Sequence, residues 1–300
     1  MKILIPGGSG FVGSNLTKLL VNKGHEVTVM SRSPKKGPGS HSQVNFIAAD
    51  TTKPGLWQQV VENFDVIINL AGVSINKRWD ENHKILLRDS RILTTRNVVD
   101  AIPLQNSQRV TLINASGVGY YGFTRDEELS EDAPPGSDFL ARLAQDWEAE
   151  AQKAKLKRVR VVIARLGIVL GRDGGALNEM LRPFRYFVGG RLGNGLQWFP
   201  WIHISDLCRV ILFVIEKSTL EGPVNCVAPN PVRNVDLARA IGKALKRPWF
   251  VPAPAFMIRL ILGEFGSVTL EGQRALPKAL LDNGSQFEFT NIENALRDLL

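Results

Sequence analysis

Gly7-Gly8-Ser9-Gly10-Phe11-Val12-Gly13 stands directly between a short apolar run, Ile3-Leu4-Ile5, and a helical pattern over 15–22. Glycines at this spacing do three separate jobs. The first permits a tight turn, the second lets backbone approach a phosphate, and the third lets the helix pack close against its strand. The amides at the start of the helix then face the phosphates, where the helix dipole also favours negative charge. A strand–turn–helix that holds the pyrophosphate of a dinucleotide is therefore expected over the first twenty residues.

The end of the second strand, 26–30, selects the dinucleotide. An acidic residue there would hydrogen-bond the adenosine ribose of NAD. This chain has Ser31-Arg32 instead, with Lys35 and Lys36 close behind. An arginine at this point stacks on adenine and pairs with a 2′-phosphate, so NADP(H) is the cofactor expected. Asp50, after the third strand, has two readings: it reaches the adenine edge, or it caps the segment that follows.

Apolar runs over 2–5, 26–30, 44–48, 65–70, 110–114 and 160–164 alternate with helical patterns, notably 81–101 and 138–154. Strands separated by helices imply parallel βαβ units covered on both faces. The fold class expected is α/β, a Rossmann-type doubly wound parallel sheet with a smaller C-terminal α/β lobe. Residues 1–166 form the NADP-binding domain, to which 203–228 return, and residues 167–202 with 229–300 form the substrate lobe. Helices are expected at 177–186, 204–217, 234–245, 254–262 and 292–299, and a strand at 223–227. The stretch 167–200 reads as glycine-rich and irregular.

The net charge of +8 and pI near 9.6 favour anionic partners. The basic residues are scattered and not interleaved with aromatics, which argues against nucleic acid and for a small, phosphorylated ligand. Cys208 and Cys226 lack metal-ligand spacing, so no metal is expected, and both read as reduced, buried thiols. Ile3-Leu4-Ile5 is too short for a signal peptide. The run 255–262 is too short to span a bilayer, and it suits a buried or amphipathic helix. A cytoplasmic protein without membrane attachment is expected.

Asn69-Leu70-Ala71-Gly72, Ser116 with Tyr120-Tyr121-Gly122, and Trp201-Ile202-His203-Ile204-Ser205-Asp206 give the chain its family resemblance. It resembles the extended short-chain dehydrogenase/reductases. Asn76-Lys77-Arg78-Trp79, Phe199-Pro200-Trp201-Ile202-His203 and Gly272-Gln273-Arg274-Ala275-Leu276-Pro277 narrow this to the atypical, epimerase-like (YfcH-type) branch, over essentially the whole chain. The resemblance implies cofactor contacts from Gly7, Gly10, Phe11, Val12, Ser31, Arg32, Leu70 and Ala71. It adds Arg91, where an asparagine is usual, and Val169, near the nicotinamide. It also suggests a homodimer through 81–101 and 138–154.

The same resemblance exposes a departure. Active members use a Ser/Thr, a tyrosine, and a lysine four residues after it, which lowers the tyrosine pKa for proton transfer. Four residues after Tyr120, Tyr121 and Tyr186 stand Thr124, Arg125 and Gly190, so the chain holds no Tyr-x-x-x-Lys. Aligning on Trp147-Glu148 puts Leu140 and Ala144 at those two positions. Ser116 is then the visible remnant of the relay, or a serine that bonds backbone at a strand end. Tyr121 is a substitute acid next to the expected nicotinamide region, or packing in a turn, and His203 is a second acid, or a structural or substrate-lining residue. Arg182, Arg185 and Arg191 are candidates for an anionic substrate, and Trp201 for its apolar wall or for core. Two functions follow. One is an NADP(H)-dependent oxidoreductase or epimerase acting on a small molecule, with a nucleotide sugar as one candidate. The other is a catalytically silent NADP(H)-binding regulator with a protein partner, in keeping with the cell-division-inhibitor labels carried in this branch.

Overall fold

The computed structural model describes residues 1–33, 44–104 and 110–300. In chain order the first half runs β1 (Lys2–Pro6), α1 (Phe11–Asn22), β2 (Glu26–Ser31), β3 (Val44–Ala48), β4 (Val66–Asn69), α2 (Glu81–Ala101), β5 (Thr111–Gly117), β6 (Glu128–Leu129), α3 (Phe139–Gln152) and β7 (Arg160–Leu166). The second half runs β8 (Ile168–Gly171), β9 (Gly174–Gly175), α4 (Leu177–Arg185), β10 (Trp198–Phe199), β11 (Trp201–His203), α5 (Ile204–Glu216), β12 (Gly222–Cys226), β13 (Val232–Arg233) and α6 (Asn234–Leu245). It ends with α7 (Ala255–Leu262), α8 (Glu264–Thr269), β14 (Arg274–Ala275), α9 (Lys278–Asp282) and α10 (Ile292–Leu299).

Seven strands form one parallel sheet in the order β12-β7-β5-β4-β1-β2-β3. Side chains alternate across a strand, so each strand feeds two cores. Ile3, Ile5, Val27, Val29, Val66 and Ile68 point to α1 and α5, joining Leu16, Leu20, Leu207 and Ile211. Leu4, Met30, Ile67, Leu112 and Val161 point the other way, joining Val98, Val99 and Ala151 of α2 and α3. With helices on both faces and the reversal of strand order at β1 and β4, this is a doubly wound Rossmann-type α/β fold.

A three-stranded sheet, β11-β8-β9, and two short pairs, β10–β13 and β14–β6, carry the chain between the large sheet and its C-terminal part. The stretch expected to be irregular therefore contains β8, β9 and β10. Strands of two to four residues are too short to show an alternating period. The helix expected over 254–262 is present, and of its two readings the buried one does not hold. Only Ile258 of α7 is buried, while Phe256, Met257, Leu260 and Ile261 are exposed at 70%, 45%, 74% and 64%. No helix among the described residues is long and apolar enough to cross a membrane.

Candidate functional site

The site begins at the C-terminal edge of β1. Gly7 has φ +80°, and a Cβ on it would stand 2.7 Å from the Ala71 amide nitrogen, so only glycine lets the turn and the end of β4 meet. Gly13 packs so tightly that a Cβ would lie 2.5 Å from the Gly8 Cα. Gly10 begins α1 without a side-chain cap, and the first turn holds no acidic residue. The first intrahelical bond runs from the Ser14 amide to the Gly10 carbonyl. The amides of Phe11, Val12 and Gly13 thus have no carbonyl one turn back, which is the arrangement an anion completes. The Phe11 ring packs over Gly171, Gly174 and Gly175, where a Cβ would lie 2.5, 2.8 and 2.9 Å from it, so the β8–β9 hairpin closes on the glycine turn. Val169, in β8, pairs with Ile202 beside it.

Beyond β1 on one side lie the ends of β2 and β3, where Ser31 and Ala48 are partners. Arg32 is exposed there. Asp50 takes the Thr52 hydroxyl at 2.7 Å and its amide at 3.2 Å, so it does cap the following turn. The hydroxyl bond chiefly holds its pKa below the usual carboxylate value, with a contribution from Arg32. Lys35 and Lys36 lie outside the described residues.

On the other side, Leu70 to Gly72 follow β4 and are fixed from below. The Asn69 side chain accepts from the Ala71 amide and donates to Thr95 and Asn114, and Trp147 also donates to Thr95. Arg91 reaches this loop from α2, donating to the carbonyls of Val73 and Leu87 at 3.0 Å each. Burial holds its pKa down to about 10, so it remains a cation at neutral pH.

The proton-relay candidates are elsewhere. Ser116 is buried and donates to Glu148 of α3 at 2.7 Å. Tyr121 is 3% exposed, donates to Asn225 at 2.7 Å and accepts from Arg165 at 3.0 Å. Burial pushes its pKa up to about 12. Buried and bonded on both sides, Tyr121 fits the packing reading better than the substitute-acid one. His203 likewise fits the structural reading. It is 2% exposed, caps α5 through Ser205, contacts Asp298 at 3.2 Å and stacks on Phe289. Burial lowers its pKa, keeping it neutral. Trp201 is fully buried and donates to the Asn230 carbonyl, so it is core and not a substrate wall. Asp206 accepts the amides of Glu288 and Phe289. Arg182 and Arg185 are exposed on α4, with Arg182 paired to Glu179 one turn back. Leu140 and Ala144 stand on α3, and neither side chain is ionisable.

Sequence reading missed the group that organises this side. Arg165 at the end of β7 makes a forked pair with Glu148, both bonds 2.9 Å, and also donates to the Glu131 carbonyl and to Tyr121. Its guanidinium lies 3.5 Å from the Tyr120 ring centroid. Against the pull of burial, Glu148 raises the Arg165 pKa. The Glu131 carboxylate, its pKa raised by burial, accepts the amides of Asn225 and Ala279. The available signal was Arg165 directly after the apolar run 160–164. Among the described residues no group of His, Cys, Asp and Glu could hold a metal ion.

Comparison with known proteins fits this geometry. The profile of the NAD dependent epimerase/dehydratase family matches residues 3–226, and a domain of unknown function (DUF1731) matches residues 253–299. An epimerase family protein, the chloroplastic SDR39U1 homolog of Arabidopsis thaliana, is 36% identical over 302 residues, covering 100% of this chain and 87% of its own. An epimerase family protein of Staphylococcus epidermidis is 39% identical over 302 residues, covering 100% and 99%. The crystal structure of human epimerase family protein SDR39U1 with NADPH superposes with a TM-score of 0.86 at 35% identity, covering 100% of this chain and 99% of that one. The chain belongs to the NAD dependent epimerase/dehydratase family.

Proposed function

We propose that this chain binds NADP(H) along the C-terminal edge of its large sheet and acts on a small, anionic substrate by chemistry that does not pass through a tyrosine–lysine relay. The observation that carries the cofactor is the uncapped start of α1. Its first amides have no main-chain acceptor among the described residues, and Gly10 puts no side chain beside them. The human relative crystallised with NADPH supports the same reading. The pyrophosphate rests on Gly7, Gly10, Phe11 and Val12. Ser31 and Arg32 take the 2′-phosphate, and Asp50 borders the adenine. Leu70, Ala71, Arg91 and Val169 border the nicotinamide half. When bound, the cofactor supplies hydride transfer, and the chain orients it. Arg182 and Arg185 remain candidates for substrate charge.

Titration of NADPH and NADH into Arg32→Ala tests the cofactor. Losing a charged pair to the 2′-phosphate predicts about tenfold weaker NADPH binding with NADH binding little changed. Equal losses would refute the role of Arg32.

The exposed apolar face of α7 favours a second reading, a regulator that binds NADP(H) and docks on another protein. A panel of carbonyl compounds and nucleotide sugars, followed at the nicotinamide absorbance, separates the two. Turnover of any member supports the enzyme. Intact NADPH binding without turnover supports the regulator.

A further inference from the structure

The segment after α4 and the segment leading into α7 lie side by side. The Val251 amide donates to the Gly189 carbonyl, the Ala253 amide to that of Arg191, and the Gly193 amide to that of Ala253. Gly190 packs so closely on the Val251 carbonyl that a side chain there would collide with it. Two residues beyond Ala253, α7 begins. The three pieces therefore form one surface, and its large apolar side chains face outward. Tyr186, Phe187 and Phe250 are exposed on the first two pieces. On α7, Phe256 and Leu260 are one turn apart, as are Met257 and Ile261, so the four make one stripe facing away from the buried Ile258.

Phe187 also stands in an unfavourable conformation. It holds φ +62°, with its amide bonded to Phe184 and that of Val188 to Pro183. This is the left-handed position after a helix that glycine normally takes. The Arg247 guanidinium carbon lies 4.4 Å from the centroid of its ring. The charge around these rings has one sign. Neither 180–205 nor 237–263 contains an aspartate or glutamate. Of the eight arginines and lysines in the two stretches, three pair with acids from outside them. Arg191, Lys246, Arg247 and Arg259 are exposed and have no carboxylate partner among the described residues.

A face of one sign repels a second copy of itself. Nucleic acid would answer the arginines and the aromatic rings, but it leaves an aliphatic stripe unmatched. Phe256 and Leu260 project into solvent instead of lining a groove that would take a partner helix. Apolar side chains projecting from a ring of arginine and lysine suit the headgroup layer of a membrane. There the rings and aliphatic stems enter the acyl boundary, while the cations meet lipid phosphate. Such docking needs no spanning helix, so the short length of α7 does not oppose it.

We propose that this face seats the protein on an anionic lipid bilayer, with the α7 stripe and Phe187 in the acyl boundary and Arg191, Lys246, Arg247 and Arg259 on lipid phosphates. It goes beyond either reading of the cleft, because the glycine turn and the buried network take no part in it.

Cosedimentation of the full chain with vesicles of phosphatidylcholine, with or without phosphatidylglycerol, tests this. Wild type should bind the anionic vesicles about tenfold or more tightly than the neutral ones, and lose most of that binding in high salt. Lys246→Glu/Arg247→Glu should weaken it about thirtyfold. Leu260→Ser/Ile261→Ser should weaken it about tenfold at unchanged Tm, since both side chains are exposed. Lys155→Glu/Arg158→Glu removes the same charge from the chain between α3 and β7, and should stay within about threefold of wild type. Equal binding to both vesicles, binding to neither, or equal weakening by the two charge-reversed variants overturns the proposal. Undiminished binding by Leu260→Ser/Ile261→Ser overturns it too. Binding of a polyuridine strand with no binding of vesicles would assign the face to nucleic acid instead.

Discussion

The two walls of the cleft treat their polar groups in opposite ways. Along β1 and α1 the chain leaves amides unpaired, and Gly7, Gly8 and Gly13 let the backbone pack closely around them. At the ends of β5 and β7, the groups able to move a proton are spent on one another. Ser116 is tied to Glu148, Glu148 to Arg165, Arg165 to Tyr121, and Tyr121 to Asn225. The first wall carries open donors that a ligand would complete. The second is complete without one. Retaining a cofactor wall thus says nothing about retaining the chemistry of the opposite wall, because different residues and different energies hold each in place.

The largest effect that could break this contrast is on the closed wall. Arg165→Met leaves Glu148 buried without its cation and Tyr121 without a donor, which predicts a loss of about 3–5 kcal/mol in urea unfolding. A loss below about 1 kcal/mol would mean that the network is not what holds this wall. On the open wall, Gly7→Ala forces a side chain into φ +80° and against Ala71. It should cost about 2 kcal/mol through strain and crowding, and it should abolish NADPH binding. Full stability with retained binding would show that the close approach at Gly7 is dispensable.

A smaller effect tests whether His203 is part of the structure. Its folded pKa is lowered by burial, so the unfolded chain takes up a proton near pH 6.5 that the folded chain refuses until lower pH. The stability from neutral His203 is present above that pH and is lost as pH falls below it, opposed in part by Asp298 and Asp206. His203→Asn keeps an acceptor for the Ser205 amide, and its Tm should fall less than that of wild type between pH 7 and 5. Parallel slopes would show that His203 titrates alike in both states.

What was legible in the sequence was local. The glycine turn, the apolar strands and the helices over 81–101, 234–245 and 292–299 follow from spacings within a few residues, and they match α2, α6 and α10. The closed wall could not be read this way. Tyr121 and Asn225 are 104 residues apart, and Arg165 lies 44 residues from Tyr121. A tyrosine that looks catalytic and one that is sealed have the same neighbours in sequence. The absent Tyr-x-x-x-Lys was readable, whereas the buried ion pair beside it was not. Exposure of α7 was equally hidden, since Ala255-Phe256-Met257-Ile258 looks the same in a core and on a surface.

The measurement that bears most directly on the contrast is a side-by-side NADPH titration of wild type and Tyr121→Phe. If the glycine wall holds the cofactor and the tyrosine belongs to the other wall, both proteins saturate with the same Kd. Tyr121→Phe then shows only a lowered Tm, from the lost bonds to Arg165 and Asn225. Absence of saturable binding in wild type, or weakened binding in Tyr121→Phe at unchanged Tm, would contradict the account.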